Sequence, residues 1–293
     1  MPGIKPGMTD WGGEGVSLAV IQDSANATFA ANRATGHIGL SVAASGGLTR
    51  RARVHEDGSL RVRFPNAKPD ALEAVIVNTG GGMTGGDRFT VEMSVGAGAS
   101  LVAGTAAAEK IYRSTGPDSE MDVRLTLEEG ARLAWLPQET ILFDRARLNR
   151  RIDIDLAEGA SLIMAEAVVF GRAAMGEAMV AGSFTDRWRV RCNGKLIYAD
   201  TARLDGDIAA QMSQAAVANG GIAIATVLVA PGGNNQLAAV RALSETFTSE
   251  VGISAWNGIA IARLCAKDGA ALRHDLIAVL AALGTVLPRL WLQ

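Results

Sequence analysis

Val91-Glu-Met-Ser-Val-Gly-Ala-Gly98-Ala99-Ser-Leu101 is followed by Val123-Arg-Leu-Thr-Leu-Glu-Glu-Gly130-Ala131-Arg-Leu133 and then by Ile152-Asp-Ile-Asp-Leu-Ala-Glu-Gly159-Ala160-Ser-Leu162. Each unit reads apolar-x-apolar-x-apolar-x-x-Gly-Ala-x-Leu. The repeat glycines lie 32 and 29 residues apart. Alternation with period two marks half-buried strands. A repeat of about 30 residues signals stacked copies of one supersecondary unit. Each unit reads as a strand, a tight Gly-Ala turn and a return strand. A lone hairpin cannot bury its apolar face, so consecutive hairpins must stack. The expected fold is mainly β: stacked hairpins in a two-sheet, helically wound β scaffold.

Downstream of the repeats, Arg187-Trp-Arg-Val-Arg-Cys192 alternates, Asn193-Gly194 supplies a type I′ turn, and Lys195-Leu-Ile-Tyr-Ala199 returns. Residues 222–229 form an apolar, β-branched run bounded by Gly220-Gly221 and Pro231-Gly232, which reads as a buried strand. The pattern then changes. Leu237, Val240, Leu243 and Phe247 mark a helix, residues 259–265 a strand, and Leu272, Leu276, Val279, Leu280 and Leu283 a second helix. The spacing therefore predicts a small C-terminal α/β part with about two helices. The closing Pro288-Arg-Leu-Trp291-Leu-Gln either tucks into its own core or docks on a partner.

Upstream, residues 1–33 are rich in Gly, Ala, Asn and Ser with weak periodicity and read as a flexible tail. One domain is expected over 34–293, its β scaffold at about 34–232 and its helix-containing part at about 233–293. Leu60-Arg-Val-Arg-Phe64 alternates and stops at Pro65, as an edge strand does. Arg50, Arg51, Arg53, Arg61 and Arg63 read as the solvated face of two strands.

Between these segments lies Asn78-Thr-Gly80-Gly-Gly-Met-Thr-Gly-Gly-Asp87-Arg88. Its glycines fit the letters of a dinucleotide fingerprint, which needs a helix after the loop. Here residues 89, 91, 93 and 95 alternate as a strand, so no helix N-terminus is available for a pyrophosphate. The lysine position of a phosphate loop holds Asp87, which would repel phosphate. The loop instead reads as a strand-to-strand connection built on glycine's access to positive φ, with a carboxylate on its corner.

Composition narrows the function. With 48% apolar and 20% charged residues, 293 residues can bury a sizeable core. A net charge of −2 gives no general attraction to nucleic acid or anionic membrane. Aromatic residues at 5% weigh against stacking surfaces for bases. Cys192 and Cys265 form no C-x-x-C pair and read as small hydrophobes in a reduced, cytoplasmic compartment. The N-terminus lacks the basic and apolar regions of a secretion signal, and the run at 276–287 is too short to span a bilayer. His37, His55 and His274 are scattered, which argues against a permanent zinc site and against histidine acid–base catalysis. No G-x-S-x-G is present.

Carboxylates remain. Glu139 and Asp144 flank an apolar segment after the second repeat, and Asp87 and Glu177 sit on glycine-bounded corners. They can pair with arginines such as Arg113, Arg145 or Arg172, line a wet path, or face a partner. Oxygen ligands hold a divalent ion weakly enough to pass it on.

Four motifs together, Gly81-Gly-Met-Thr-Gly-Gly-Asp87, Lys110-Ile-Tyr-Arg-Ser114, Trp135-Leu-Pro-Gln-Glu-Thr-Ile-Leu-Phe-Asp144 and Gly171-Arg-Ala-Ala-Met-Gly-Glu177, resemble those of the UreD (UreH) urease accessory family, in the family's order and over roughly residues 34–290. The chain departs from the family at Asn78-Thr79, where a proline usually precedes the glycines, at residues 104–108, and at Ile111, where phenylalanine is usual. The resemblance implies a β-rich, helically wound fold and no enzyme activity. It implies a scaffold within a dimeric hetero-complex, which bridges urease apoprotein and a UreF/UreG GTPase module. Nickel would be bound transiently and delivered through an internal path, with no permanent cofactor. On that reading Asp87, Glu139, Asp144 and Glu177 line the path, and Lys110, Tyr112, Arg113 and Arg172 frame it or meet a partner. The Arg50 to Arg63 strands and the C-terminal helices are the two candidate partner faces. The competing expectation is a catalytic β-helix using Glu139 and Asp144 as acid and base, which needs the two carboxylates to face one groove.

Overall fold

A computed structural model of the chain describes residues 33–65, 71–172 and 175–292. The tail expected at 1–33 lies, save Arg33, outside the described residues. Among the described residues one sheet has seven strands, in the order β15 (Lys195–Asp207), β14 (Ala181–Cys192), β11 (Arg147–Leu156), β8 (Ser119–Leu127), β5 (Arg88–Val95), β1 (Thr35–Ser45) and β2 (Leu48–Gly58). The second sheet runs β17 (Glu250–Trp256), β18 (Ile259–Ala266), β16 (Ala223–Ala230), β12 (Ser161–Arg172), β9 (Arg132–Trp135), β6 (Ser100–Thr105), β4 (Leu72–Asn78) and β3 (Leu60–Arg63). Beside β12 lie β10 (Thr140–Leu142) and β13 (Glu177–Ala178), and β7 (Glu109–Ile111) pairs with the far edge of β10. The chain is thus mainly β and wound between two sheets, as the repeat predicts.

The repeating unit itself is an arch, which corrects the stacked hairpins of the sequence reading. β5 pairs with β8 and β8 with β11, all parallel, and β6, β9 and β12 stack parallel in the other sheet. The register puts Val91, Val123 and Ile152 on one rung, Met93, Leu125 and Ile154 on the next, and Leu101, Leu133 and Leu162 across the corner. The difference from a hairpin lies in the turn. Each Gly-Ala corner has one left-handed residue, at φ 65°, 64° and 68° for Gly98, Gly130 and Gly159. The corner amides bond the next coil: Gly98 N–H donates to the Glu129 carbonyl at 3.0 Å and Gly130 N–H to that of Glu158 at 3.3 Å. A type I′ hairpin turn needs positive φ at both central positions. Asn193 and Gly194 meet that need at 49° and 75°, and β14 and β15 do pair antiparallel there.

Apolar residues of the inward phase from both sheets form one core. A second core fills the outer face of the second sheet under the helices. This explains why β12 is buried on both faces and reads as a near-continuous apolar run. The helices are α1 (Ile208–Ser213), α2 (Asn234–Arg241) and α3 (Gly269–Ala282). The two expected C-terminal helices are α2 and α3. α2 stops at Arg241, so Leu243 and Phe247 fall beyond it, and β17 and the six-residue α1 have too little periodicity to be read. β3 is an edge strand as expected. The five arginines from Arg50 to Arg63 are exposed or half-buried. The C-terminal segment tucks in: Trp291 is 2% exposed and its Nε1 donates to the Leu136 carbonyl at 2.9 Å.

Candidate functional site

The glycine loop crosses from β4 in one sheet to β5 in the other. It packs on the coil beneath: Met83 N–H donates to the Lys110 carbonyl and Tyr112 N–H to that of Met83, both at 2.7 Å. A Cβ at Gly82 would lie 2.5 Å from the Tyr112 ring and 2.7 Å from the Lys110 carbonyl, so the close approach requires glycine. Tyr112 donates through its hydroxyl to the Gly81 carbonyl at 3.1 Å and meets Phe143 edge-on, with ring centroids 4.9 Å apart. The Arg172 guanidinium lies 4.3 Å from the Phe143 ring centroid. Arg113 bridges to Ala146 through its backbone. Lys110, Tyr112 and Arg113 are exposed. Successive coils thus stack the glycine loop, Tyr112, Phe143 and Arg172 along one edge of the scaffold.

The four carboxylates chosen from sequence do not converge. Asp87 is buried and caps its own turn, its Oδ1 accepting from Ala34 N–H and its Oδ2 from Thr84 N–H, both at 2.8 Å. Asp144 and Glu177 are neighbours: Glu177 accepts from Asp144 N–H at 2.9 Å and pairs with Arg172, while Asp144 accepts from Val180 N–H at 2.8 Å. The Asp144 backbone amide and the Arg172 guanidinium hold the Glu177 carboxyl below the usual range. Glu139 instead meets Arg273 of α3 at 3.3 Å, and Arg273 also donates to Gln138 and to the Leu290 and Trp291 carbonyls. The paired-carboxylate arrangement of Glu139 with Asp144 is absent from these contacts. Among the described residues no three His, Cys, Asp or Glu side chains gather to hold a metal ion. Cys192 and Cys265 are half-buried free thiols.

A charged group that the sequence reading overlooked lies between the sheets. Arg150 is 1% exposed and forks onto Asp186, Nε to Oδ1 at 2.9 Å and Nη2 to Oδ2 at 2.6 Å. Its Nη1 donates to Glu166, whose other oxygen accepts from Trp135 Nε1 at 2.7 Å. Two carboxylates thus face one guanidinium in the core. Burial pushes the Glu166 carboxyl up, with Arg150 opposing, and the two carboxylates hold Arg150 above its ordinary value against its own burial. A signal was available. Arg150 shares the inward phase of Leu148, Ile152 and Ile154, Glu166 that of Met164 and Val168, and Asp186 that of Phe184 and Trp188.

The cluster borders a cavity of about 40 Å³. Beyond it a cleft of about 630 Å³ opens between β15 and the strands β16 and β18. The two share Phe184, Asp200, Ala202, Ile224, Ala225 and Thr226 as lining. At the mouth Arg263 of the second sheet donates to Asp200 of the first at 2.6 Å, and Tyr198 donates to Asp200 at 3.0 Å. On the inner side Arg150 reaches toward the Thr140 hydroxyl at 3.5 Å. Thr140 pairs in register with Glu109, whose carboxylate accepts from Asn78 Nδ2 at 2.8 Å where the glycine loop begins.

Burial drives the Glu109 carboxyl up to about 7, against the hydrogen bond from Asn78. A carboxyl raised in the fold contributes less stability as pH climbs from its ordinary value of 4.5 through about 7. Glu109→Gln should therefore gain on the wild type between about pH 5 and about pH 8, by up to about 3 kcal/mol. Urea unfolding of both proteins across that range measures the gain; a difference that does not change with pH would contradict it.

The fold and site define a class: a wound β scaffold with a buried arginine–carboxylate cluster between its two sheets and stacked surface loops. The profile of the UreD urease accessory protein family matches residues 34–292. The chain is 59% identical over 268 residues to the urease accessory protein UreD of Rhodopseudomonas palustris strain HaA2, covering 91% of this chain and 96% of that one. It is 56% identical over 265 residues to the UreD of Bradyrhizobium diazoefficiens, with 90% and 96% covered. The chain belongs to the UreD family of urease accessory proteins, and its part in urease maturation is that of an accessory protein and not of an enzyme. Among the described residues no helix is long and apolar enough to cross a membrane.

Proposed function

We propose that the chain bridges urease apoprotein and a UreF-type and UreG-type GTPase module in the cytoplasm, within a dimeric hetero-complex, and passes nickel through its interior to urease. The observation that carries this reading is the lining shared by the open cleft and the cavity at Arg150, Glu166 and Asp186. From Asp200 at the mouth, oxygen donors recur at Asp186, Glu166, Thr140 and Glu109. Carboxylate and hydroxyl oxygens suit a divalent ion that must enter and leave, which a thiolate or imidazole cage would retain. Nickel is the cargo here and is held only in passage. Glu139, Asp144 and Glu177 keep side chains partly open to solvent, at 31%, 31% and 23%. They serve as outer stops framed by Lys110, Tyr112, Arg113 and Arg172. Asp87 keeps the loop in shape. Nucleotide chemistry belongs to the partner, since the glycine loop here leads into a strand.

The test is deletion of the gene in a urease-positive cell supplied with nickel. Urease protein should accumulate with little nickel and little activity. Normal activity with full nickel content would overturn the proposal.

A further inference from the structure

The outer face of the first sheet pairs most of its charges between neighbouring coils. Arg88 meets Glu120 at 3.0 Å, Arg124 meets Glu92 at 2.7 Å, and Arg147 meets Asp118 at 2.7 Å. β14 and β15 depart from this pattern. Between Thr185 and Arg191 the outward phase of β14 carries Arg187, Arg189 and Arg191, and the facing stretch of β15 carries Arg203, Thr201 and Ala199, with Asp205 at its end. Four arginines thus stand against one aspartate on these two strands.

Arg187 lies at the centre of the group. Its neighbours in register are Arg151 of β11 and Thr201 of β15, and the same-face positions along its own strand hold Thr185 and Arg189. None of the four is an acid, and like charges side by side in a sheet repel. The nearby carboxylates are turned elsewhere: Asp122 lies 3.9 Å from Arg151, and Asp153 lies 3.7 Å from Arg191. Arg189 donates to the Trp188 and Asp200 carbonyls, which leaves its charge uncompensated. Arg187 Nε is buried and has no hydrogen-bond partner among the described residues, a costly state for a donor on a charged group. Arg203 is exposed, faces Thr185 in register and stands diagonal to Arg187. Among the described residues no ion pair engages Arg187 or Arg203.

We infer that the outer face of β14 and β15 receives an acidic segment of a partner protein, with one carboxylate on Arg187 and a second on Arg203. Charge complementarity decides the occupant. A carboxylate beside Arg187 relieves its repulsion from Arg151 and gives Nε an acceptor, in the forked geometry that guanidinium and carboxylate share. Arg151, Arg187 and Arg203 stand on three adjacent strands, about 10 Å across, so the face matches a row of carboxylates better than one small oxyanion. The net charge of −2 and the 5% aromatic content of the chain set nucleic acid aside. The face is the solvent side of the sheet whose inner side carries Asp186, so the contact leaves the interior route untouched. The inference rests on the reading that the chain works in a complex, and it adds the chemistry of one contact.

The experiment places a photo-crosslinking benzoyl-phenylalanine at Thr201 in the full chain, co-expressed with the remaining proteins of a urease gene cluster. The crosslinked peptide should contain at least two Asp or Glu residues. The double change Arg187→Gln, Arg203→Gln should weaken that complex by about tenfold or more, and the wild-type complex should lose affinity with added salt more steeply than the variant does. Arg203→Gln alters an exposed side chain and keeps the fold, so by itself it should weaken the complex by about threefold or more. Arg203→Glu should weaken it further, and changing the partner's acid to Lys should restore the loss. A crosslink to a segment without acids, to a second copy of this chain or to nucleic acid, no crosslink, or full affinity in the double variant would each overturn the inference. Because urease activation is scored separately by gene deletion, loss of this contact and loss of the maturation role are distinguishable.

Discussion

Arg150→Ala is expected to lower the stability of the fold by about 3–5 kcal/mol, because it leaves two buried carboxylates without their cation. Glu166 and Asp186 were held by charge-assisted bonds to one guanidinium, two of them in a fork. In the variant, each carboxylate regains a neutral state only by binding a proton. The deficit should therefore shrink as pH falls, since the variant's native state takes up protons that its unfolded state does not. Urea unfolding at several pH values measures this. A loss under about 1 kcal/mol would mean that the cluster is wetter and looser than its geometry. Apolar replacement of all three residues should behave differently from Arg150→Ala, since exchanging a buried ion group for packed hydrophobes is often neutral or stabilising.

The second large effect belongs to the C-terminus. Trp291 is 2% exposed, donates to the Leu136 carbonyl, and lies with its ring centroid 5.3 Å from the Arg273 guanidinium. Trp291→Ala should cost about 3–5 kcal/mol, as large-to-small changes of buried aromatics do. The damage should also reach Glu139, because Arg273 holds the tail carbonyls and Glu139 with the same guanidinium. Calorimetry or urea unfolding reads the stability, and faster hydrogen exchange at residues 136–139 reads the spread. Unchanged exchange there would show that the tail and the Trp135-Leu-Pro-Gln-Glu139 segment are energetically separate.

Much of the scaffold was legible because its signals are local. The inward phase of Val91, Met93 and Val95 and its copies at 123–127 and 152–156 predicts the rungs that the register shows. Asn193-Gly194 predicts its hairpin for the same reason, since both turn residues carry the needed φ. The arch was misread as a hairpin because a single left-handed glycine is compatible with either turn, and what decides is pairing to a strand about 30 residues away. The charged core was missed for a related reason. Glycine-bounded acids on loops draw attention as sites, whereas Arg150, Glu166 and Asp186 sit inside apolar alternations that read as ordinary strands. Their meaning needs the third dimension: Arg150 opposes Asp186 across β11 and β14 and reaches Glu166 in the other sheet. Arg273, the partner of Glu139, lies 134 positions away, and no spacing rule connects them.

The most direct measurement is nickel per urease active site in a deletion strain complemented with the Arg150→Met, Glu166→Leu, Asp186→Leu triple variant. Co-purification should first establish that the variant folds and keeps its urease and UreF-type partners. If nickel passes through the interior, urease matured beside this variant contains little or no nickel while its complexes remain intact. Urease with the wild-type nickel content, matured by a scaffold whose charged core has been made apolar, would contradict the account.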